Sequence, residues 1–177
     1  MNTINKGTGA GGCNTNKNGL SYENITNLSN MYTITGSDNK FSIINFVNSD
    51  KNFINTKKSL IKYMKIIQKK ADICSARGCI SPDESYIDAN KNTIYIIEKK
   101  FQQKPGSVDE KIQTGHFKKQ HYKKLFPEFE IVYIYCLSDW FKNGYEPEIE
   151  YLKEHNIPIF WGSDENYKQN IINFMIS

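Results

Sequence analysis

Apolar and polar positions along the chain alternate in short blocks that predict strands and amphipathic helices in turn. The stretch Thr93 to Phe101 places Ile94, Ile96, Glu98 and Lys100 on one face of a strand. Tyr95, Ile97, Lys99 and Phe101 then occupy the other face. Both faces are apolar as far as Ile97, which predicts a strand covered on each side. Tyr86-Ile87-Asp88 reads as its hairpin partner across Ala89-Asn90-Lys91-Asn92. Tyr32 to Thr35 and Lys40 to Val47 predict a second hairpin, joined by a turn-rich Gly-Ser-Asp-Asn. Phe129 to Leu137 is apolar on both faces and predicts a central strand, and Ile157 to Trp161 a further one.

Between these lie segments of helical period. Lys57 to Ala71 repeats Leu60, Ile61, Met64, Ile67 and Ala71 at three- and four-residue steps, with Lys58, Lys62, Lys65 and Lys69 opposite. Leu20 to Leu28 predicts a short helix with Leu20, Ile25 and Leu28 available to pack and Glu23 on its surface. Ser107 and Glu110 form a capping box that opens a helix running to about Leu125, with Gly115 as its weak point. Glu148 to His155 and Ser163 to Met175 complete the set. This order predicts an α/β fold, a central mixed β-sheet flanked by helices on both faces.

Composition adds limits. At 177 residues, 38% hydrophobic and 24% charged, the chain fits one soluble domain spanning 1–177. The first 19 residues, with GTGAGGCNTNKNG, read as a flexible Gly/Asn-rich arm, and no Gly-Lys-Ser/Thr follows to make a P-loop. No apolar run reaches membrane-span length and the start lacks a signal-peptide core, so the expectation is a cytoplasmic protein without a membrane partner. Cys136 lies inside the apolar strand and reads as a core hydrophobe. The spacing of Cys74 and Cys79, with His116 and His121, matches no common zinc finger.

Charge is unevenly placed behind the net +4. Residues 57–77 hold seven basic and one acidic side chain, and 99–124 hold eight lysines against Asp109 and Glu110. Between them Asp83, Glu84, Asp88 and Glu98 face Lys91 alone. A polyanion would be drawn to the flanks and repelled from the middle unless a cation sat there. Each lysine run is equally a solvated helix face.

Glu98 and Lys100 emerge together where the buried strand ends, and the hairpin brings Asp83 alongside Glu98. An unpaired carboxylate in such a place is costly, and a metal ion or ion partner relieves it. Asp83 and Glu98 supply hard oxygen ligands suited to Mg²⁺, with Mn²⁺ as a substitute, and the Lys99 carbonyl is a third candidate. Lys100 would orient the attacking water or stabilise charge on a phosphoryl group. Phosphodiester hydrolysis by this set leaves a 5′-phosphate and a 3′-hydroxyl. By itself Glu-x-Lys also fits a surface ion pair two residues apart.

Pro82-Asp83, then Glu98-Lys99-Lys100 on a strand, followed by a helix and a buried strand, resembles the PD-(D/E)XK nuclease superfamily. The segments GAGGCNTNKNGLSYE (Gly9 to Glu23) and GSVDEKIQT (Gly106 to Thr114) resemble small type II restriction endonucleases within it. The resemblance covers about residues 15–161. It implies a restriction-endonuclease-like fold and a homodimeric, Mg²⁺-dependent endonuclease that cuts double-stranded DNA at a short palindrome. A separate methyltransferase would protect the host DNA. Asp83 and Glu98 become metal ligands, Lys100 the catalytic lysine, and Glu23 an additional acidic residue near the metal. Gln113 takes a supporting or DNA-contact role, and Gln102 and Lys104 join it as candidate DNA contacts. Asn14, Asn16 and Lys17 on the arm are apt donors and acceptors for base edges. His116 and His121 read as helix-surface residues facing DNA or solvent. A structure-selective repair or junction nuclease and a non-catalytic nucleic-acid-binding module are the competing readings.

Overall fold

A computed structural model describes residues 13–69, 81–105 and 108–177. The chain forms one seven-stranded sheet in which the strands lie in sequence order. They are β1 (Tyr32–Asp38), β2 (Phe41–Phe46), β3 (Asn52–Asn55), β4 (Glu84–Asp88), β5 (Thr93–Lys100), β6 (Glu130–Leu137) and β7 (Ile159–Trp161). From β1 to β5 each neighbour is antiparallel. β6 and β7 then add in parallel. The sheet is therefore mixed, and the two parallel steps require crossovers. Helices α3 (Val108–Ile112) and α4 (Gly115–Leu125) form the first crossover, and α5 (Glu146–Glu154) the second.

Each face of the sheet buries its own apolar layer. On one, Ile94 and Ile96 of β5 and Tyr133 and Tyr135 of β6 meet Leu60, Tyr63 and Met64 of α2 (Leu60–Ile67), Tyr122 of α4 and Leu152 of α5. On the other, Tyr95, Ile97, Ile134 and Cys136 meet Leu28 and the Tyr167, Ile171, Ile172 and Met175 stripe of α6 (Tyr167–Ile176). The period-two alternation of β5 is thus realised, and both layers exclude water from the strand that leads to Glu98.

Several sequence expectations need correction. The chain from Cys13 to Thr26 is helix α1, so residues 13–19 belong to a helix rather than an arm. Residues 1–12 lie outside the described residues. Leu20 and Ile25 are 56% and 67% exposed, whereas Leu28 is fully buried. What docks α1 is Tyr22, whose ring lies 5.2 Å from Phe101. β3 was not expected. It is only four residues long and carries two apolar side chains, Phe53 and Ile54, too few to set up a visible period. Phe129 to Leu137 yields a strand buried on both faces but one position from the sheet edge, not at its centre. The helix expected from Ser107 to Leu125 is two helices, with the break at Gln113 and Thr114. Ser107 of the expected capping box, like Cys74, Cys79 and Ala71, lies outside the described residues.

Two glycines explain how closely helices approach the sheet. A Cβ on Gly115, at the start of α4, would stand 2.5 Å from the Tyr135 ring. A Cβ on Gly162 would collide with the Tyr22 ring and with the Thr26 methyl of α1. The helices bearing Lys118 and Glu23 are seated by these absences. Gly115→Ala is expected to destabilise the fold by about 1–2 kcal/mol, since overpacking outweighs the gain in helix propensity. A urea unfolding curve with an unshifted midpoint would contradict this.

Candidate active site

The β4–β5 hairpin sets the geometry. Its register pairs Glu84 with Ile97, so the next step outward brings Asp83 opposite Glu98. Asp88 fixes the turn end, where its buried carboxylate accepts hydrogen bonds from the Asn90 and Lys91 amides at 3.0 and 3.1 Å. At the other end the Asp83 carboxylate accepts a 2.7 Å hydrogen bond from the Lys99 amide. Asp83 is thereby held by the strand that carries Glu98 and Lys100.

Glu98 is the focus of the cluster. Its Oε1 accepts from the Lys100 ammonium at 2.6 Å and from the Lys118 ammonium at 2.8 Å. All three side chains are mostly buried, with exposures of 10%, 14% and 18%. The Lys100 ammonium also lies 3.3 Å from the Lys99 carbonyl oxygen. Two of the three expected ligand oxygens therefore already converge on one cationic group.

The two acids titrate in opposite directions. Burial raises Asp83 above its ordinary value, and the Glu98 charge adds to that, against the Lys99 amide and the Lys100 ammonium. Burial would raise Glu98 as well, but the ammoniums of Lys100 and Lys118 outweigh it and hold the carboxyl below its ordinary value. Formal charges of Asp83, Glu98, Lys100 and Lys118 sum to zero, two acids against two ammoniums.

On the opposite face lies a second buried charge pair. The Lys99 side chain, 1% exposed, donates to the Glu84 carboxylate and at 3.0 Å to the Glu23 main-chain carbonyl. Glu84 further accepts from the Leu28 amide at 3.2 Å and the Tyr86 hydroxyl at 2.5 Å. Glu84 therefore points away from Asp83, as strand alternation requires. This network ties α1 to the sheet and brings the Glu23 side chain toward the site. There Glu23 pairs with Lys58 at 2.9 Å, and its charge acts on Asp83. That hydrogen bond with Glu23 is the main cause of the raised Lys58 pKa.

The remaining candidates are dispersed. Gln102 is buried: its amide nitrogen donates to the Lys104 carbonyl and its backbone N–H to Ser138 Oγ at 3.1 Å. It braces the segment after β5 rather than facing outward. Lys104 is exposed. Gln113 is exposed and bonds Glu148 of α5 at 3.2 Å. Asn14, Asn16 and Lys17 have their backbone in α1, and their side chains lie outside the described residues. His116 packs against the α5 region: its ring stacks on His155 at 3.8 Å and its Nδ1 lies 3.0 Å from the Tyr151 hydroxyl. His121 stacks parallel to the exposed Phe117 ring.

Sequence reasoning missed Lys118, which it counted only within a basic run. The signal was present in the spacing. Gly115, Lys118 and Tyr122 follow three- and four-residue steps, and the glycine and tyrosine are buried. Starting the helix at Gly115 would have set Lys118 on the inner stripe.

The donor set suits a hard divalent cation in kind, since Asp83, Glu98 and the Lys99 carbonyl all offer oxygen. Among the described residues no three His, Cys, Asp or Glu side chains are gathered as a metal cluster. The two carboxylates and one main-chain oxygen would leave the other ligand positions to water or substrate. The buried Tyr133 hydroxyl, close enough to Glu98 and Asp83 to feel their charges, has no hydrogen bond of ordinary geometry. Among the described residues no helix is long and apolar enough to cross a membrane. No protein-family model, curated protein or solved structure matches the chain.

Proposed function

We propose that the protein is a Mg²⁺-dependent DNA endonuclease of the PD-(D/E)XK kind, acting as a type II restriction enzyme. The observation that carries this reading is the convergence of Asp83, Glu98 and Lys100 at the end of a doubly buried strand. The succession of antiparallel β4 and β5, helix α4 and parallel β6 supports a restriction-endonuclease-like core. In this reading Asp83 and Glu98, with the Lys99 carbonyl, hold the cation. Mg²⁺, or Mn²⁺ in its place, makes a water nucleophilic at neutral pH and offsets charge on the phosphoryl oxygens.

The chain's own groups do the rest. Lys100, within reach of Glu98 and the Lys99 oxygen, orients the attacking water and balances negative charge on the phosphorane-like transition state. The neutral sum of the four charged groups removes the repulsion that two bare carboxylates would exert on a phosphodiester. Attack of the water oxygen forms a new bond to phosphorus and breaks the bond to the 3′ oxygen. The water gives up a proton to solvent, the 3′ oxygen takes one from solvent to leave as a hydroxyl, and the 5′ side keeps the phosphate. Cutting both strands of a palindrome calls for two such centres, hence a homodimer, and for a separate methyltransferase that shields host DNA.

Digestion of plasmid and phage DNA with Mg²⁺, followed by sequencing of the ends, tests the proposal. Discrete fragments with 5′-phosphates at one repeated sequence are expected. Cutting confined to branched DNA would favour a junction nuclease instead, and intact DNA under all divalent cations would end the nuclease reading.

A further inference from the structure

In the reading so far Lys118 only balances charge, yet its ammonium is in direct contact with the proposed ligand Glu98 at 2.8 Å. Its ammonium shares a single oxygen, Glu98 Oε1, with Lys100. The neighbouring lysines of α4 are occupied elsewhere. Lys119 donates to the carbonyls of His155 and Asn156 at 3.0 and 2.9 Å, and Lys123 lies 3.8 Å from Glu130 at the surface. Lys118 is thus the α4 lysine turned inward. Its side chain is 18% exposed, so it is mostly buried but still reaches solvent.

A second ammonium on Glu98 opposes a divalent cation in two ways. It occupies a lone pair of a ligand oxygen, and its charge repels the incoming ion. Lysine is a compact point charge on a flexible four-carbon stem, so its ammonium can swing from the Glu98 carboxylate to a phosphate oxygen within its reach. Resting on the nuclease reading above, we propose that Lys118 is a latch on Glu98 that a DNA phosphate releases. Divalent binding and DNA binding are then positively coupled, and by linkage each strengthens the other. Lys118 is a positioning residue, acting on the metal through Glu98.

The test is calorimetric titration of the full-length protein with Ca²⁺, with and without a linear plasmid fragment that the parent cuts in Mg²⁺. Lys118→Met keeps the stem and removes the charge. Without DNA it is expected to bind Ca²⁺ about five- to tenfold more tightly than the parent. Adding the fragment should raise the affinity of the parent more than that of the variant. Lys118→Gln serves as a second removal of the charge should the Met variant not fold. Lys123→Gln, with the same change in net charge away from Glu98, should leave Ca²⁺ affinity as it was. A purely structural role for Lys118 predicts weaker Ca²⁺ binding on its loss. Unchanged or weaker binding by the variant, with a parent that binds Ca²⁺ and cuts DNA, overturns the latch alone. A parent that neither binds Ca²⁺ nor cuts overturns the nuclease reading and the latch with it.

Discussion

Asp83→Asn is expected to abolish Mg²⁺-dependent cleavage, by about a thousandfold or more, while leaving the fold as stable as the parent or more so. The loss follows from replacing an ionised ligand by a neutral amide that holds a divalent cation poorly. The stability follows from the titration of Asp83. Burial and the adjacent Glu98 raise its pKa, so ionised Asp83 works against folding. A carboxyl with a raised folded pKa favours the native state fully only below its ordinary value of 3.8, and that contribution is gone once pH has risen through the folded value. At pH 7.5 the parent therefore carries a destabilising carboxylate that asparagine lacks. The amide oxygen can still accept the hydrogen bond that Lys99 donates at 2.7 Å. A relief of about 1 kcal/mol corresponds to a rise of about 2–4 °C in a domain of this size. Melting curves in EDTA should show that rise at pH 7.5 and a shrinking difference as pH approaches 4. A variant that cuts at the parental rate would remove Asp83 from the metal site, and one that melts well below the parent would overturn the destabilising role of its carboxylate.

This combination of effects is what a site kept for chemistry rather than for stability should show. It also separates the two acids. Glu98 is held below its ordinary value by two ammoniums, so its contribution to folding is present above the ordinary glutamate value and lost as pH falls through the folded one. Acidification thus withdraws Glu98's support for the fold while it relieves the cost of Asp83.

The sequence made β5 and the placement of Glu98 and Lys100 at its end legible because that strand is governed by one strong rule. Ile94 and Ile96 against Tyr95 and Ile97 leave no other assignment of faces, and the faces of Glu98, Lys99 and Lys100 follow from it. Asp83 opposite Glu98 is likewise a matter of hairpin register, which the short Ala89–Asn92 turn constrains. What stayed hidden depends on distance through space. Lys118 reaches Glu98 from twenty positions away, and its direction is set by a helix start that only the Gly115–Tyr135 approach explains. For Lys99 the sequence offers only the main-chain carbonyl as a candidate ligand, since the side chain's partner Glu84 can be known only once α1 covers that face. Leu20 and Ile25 show the converse: they are apolar residues on a helix yet exposed, because α1 docks through Tyr22 and Thr26, where Gly162 leaves room.

Lys99→Met is expected to cost the fold about 3–5 kcal/mol, the largest stability effect of any single change at this site. The substitution leaves the stem but strips the Glu84 carboxylate of its counter-charge in a place that is 9% exposed. The Leu28 amide and Tyr86 hydroxyl still donate to Glu84, yet neither carries a charge to offset the desolvated anion. The hydrogen bond to the Glu23 carbonyl disappears as well, so α1 loses a tie to the sheet. Glu84→Gln should be costly for the mirror reason, as it strands the Lys99 ammonium. The double variant removes both charges and should be less destabilised than the sum of the two by at least about 2 kcal/mol. Urea unfolding of the four proteins measures that coupling directly. Small and additive losses would mean that the pair is solvated and that Glu23 is positioned by something other than Lys99. A large coupling would instead assign the two adjacent lysines of β5 to separate tasks, Lys99 holding α1 on one face of the sheet and Lys100 facing Glu98 on the other.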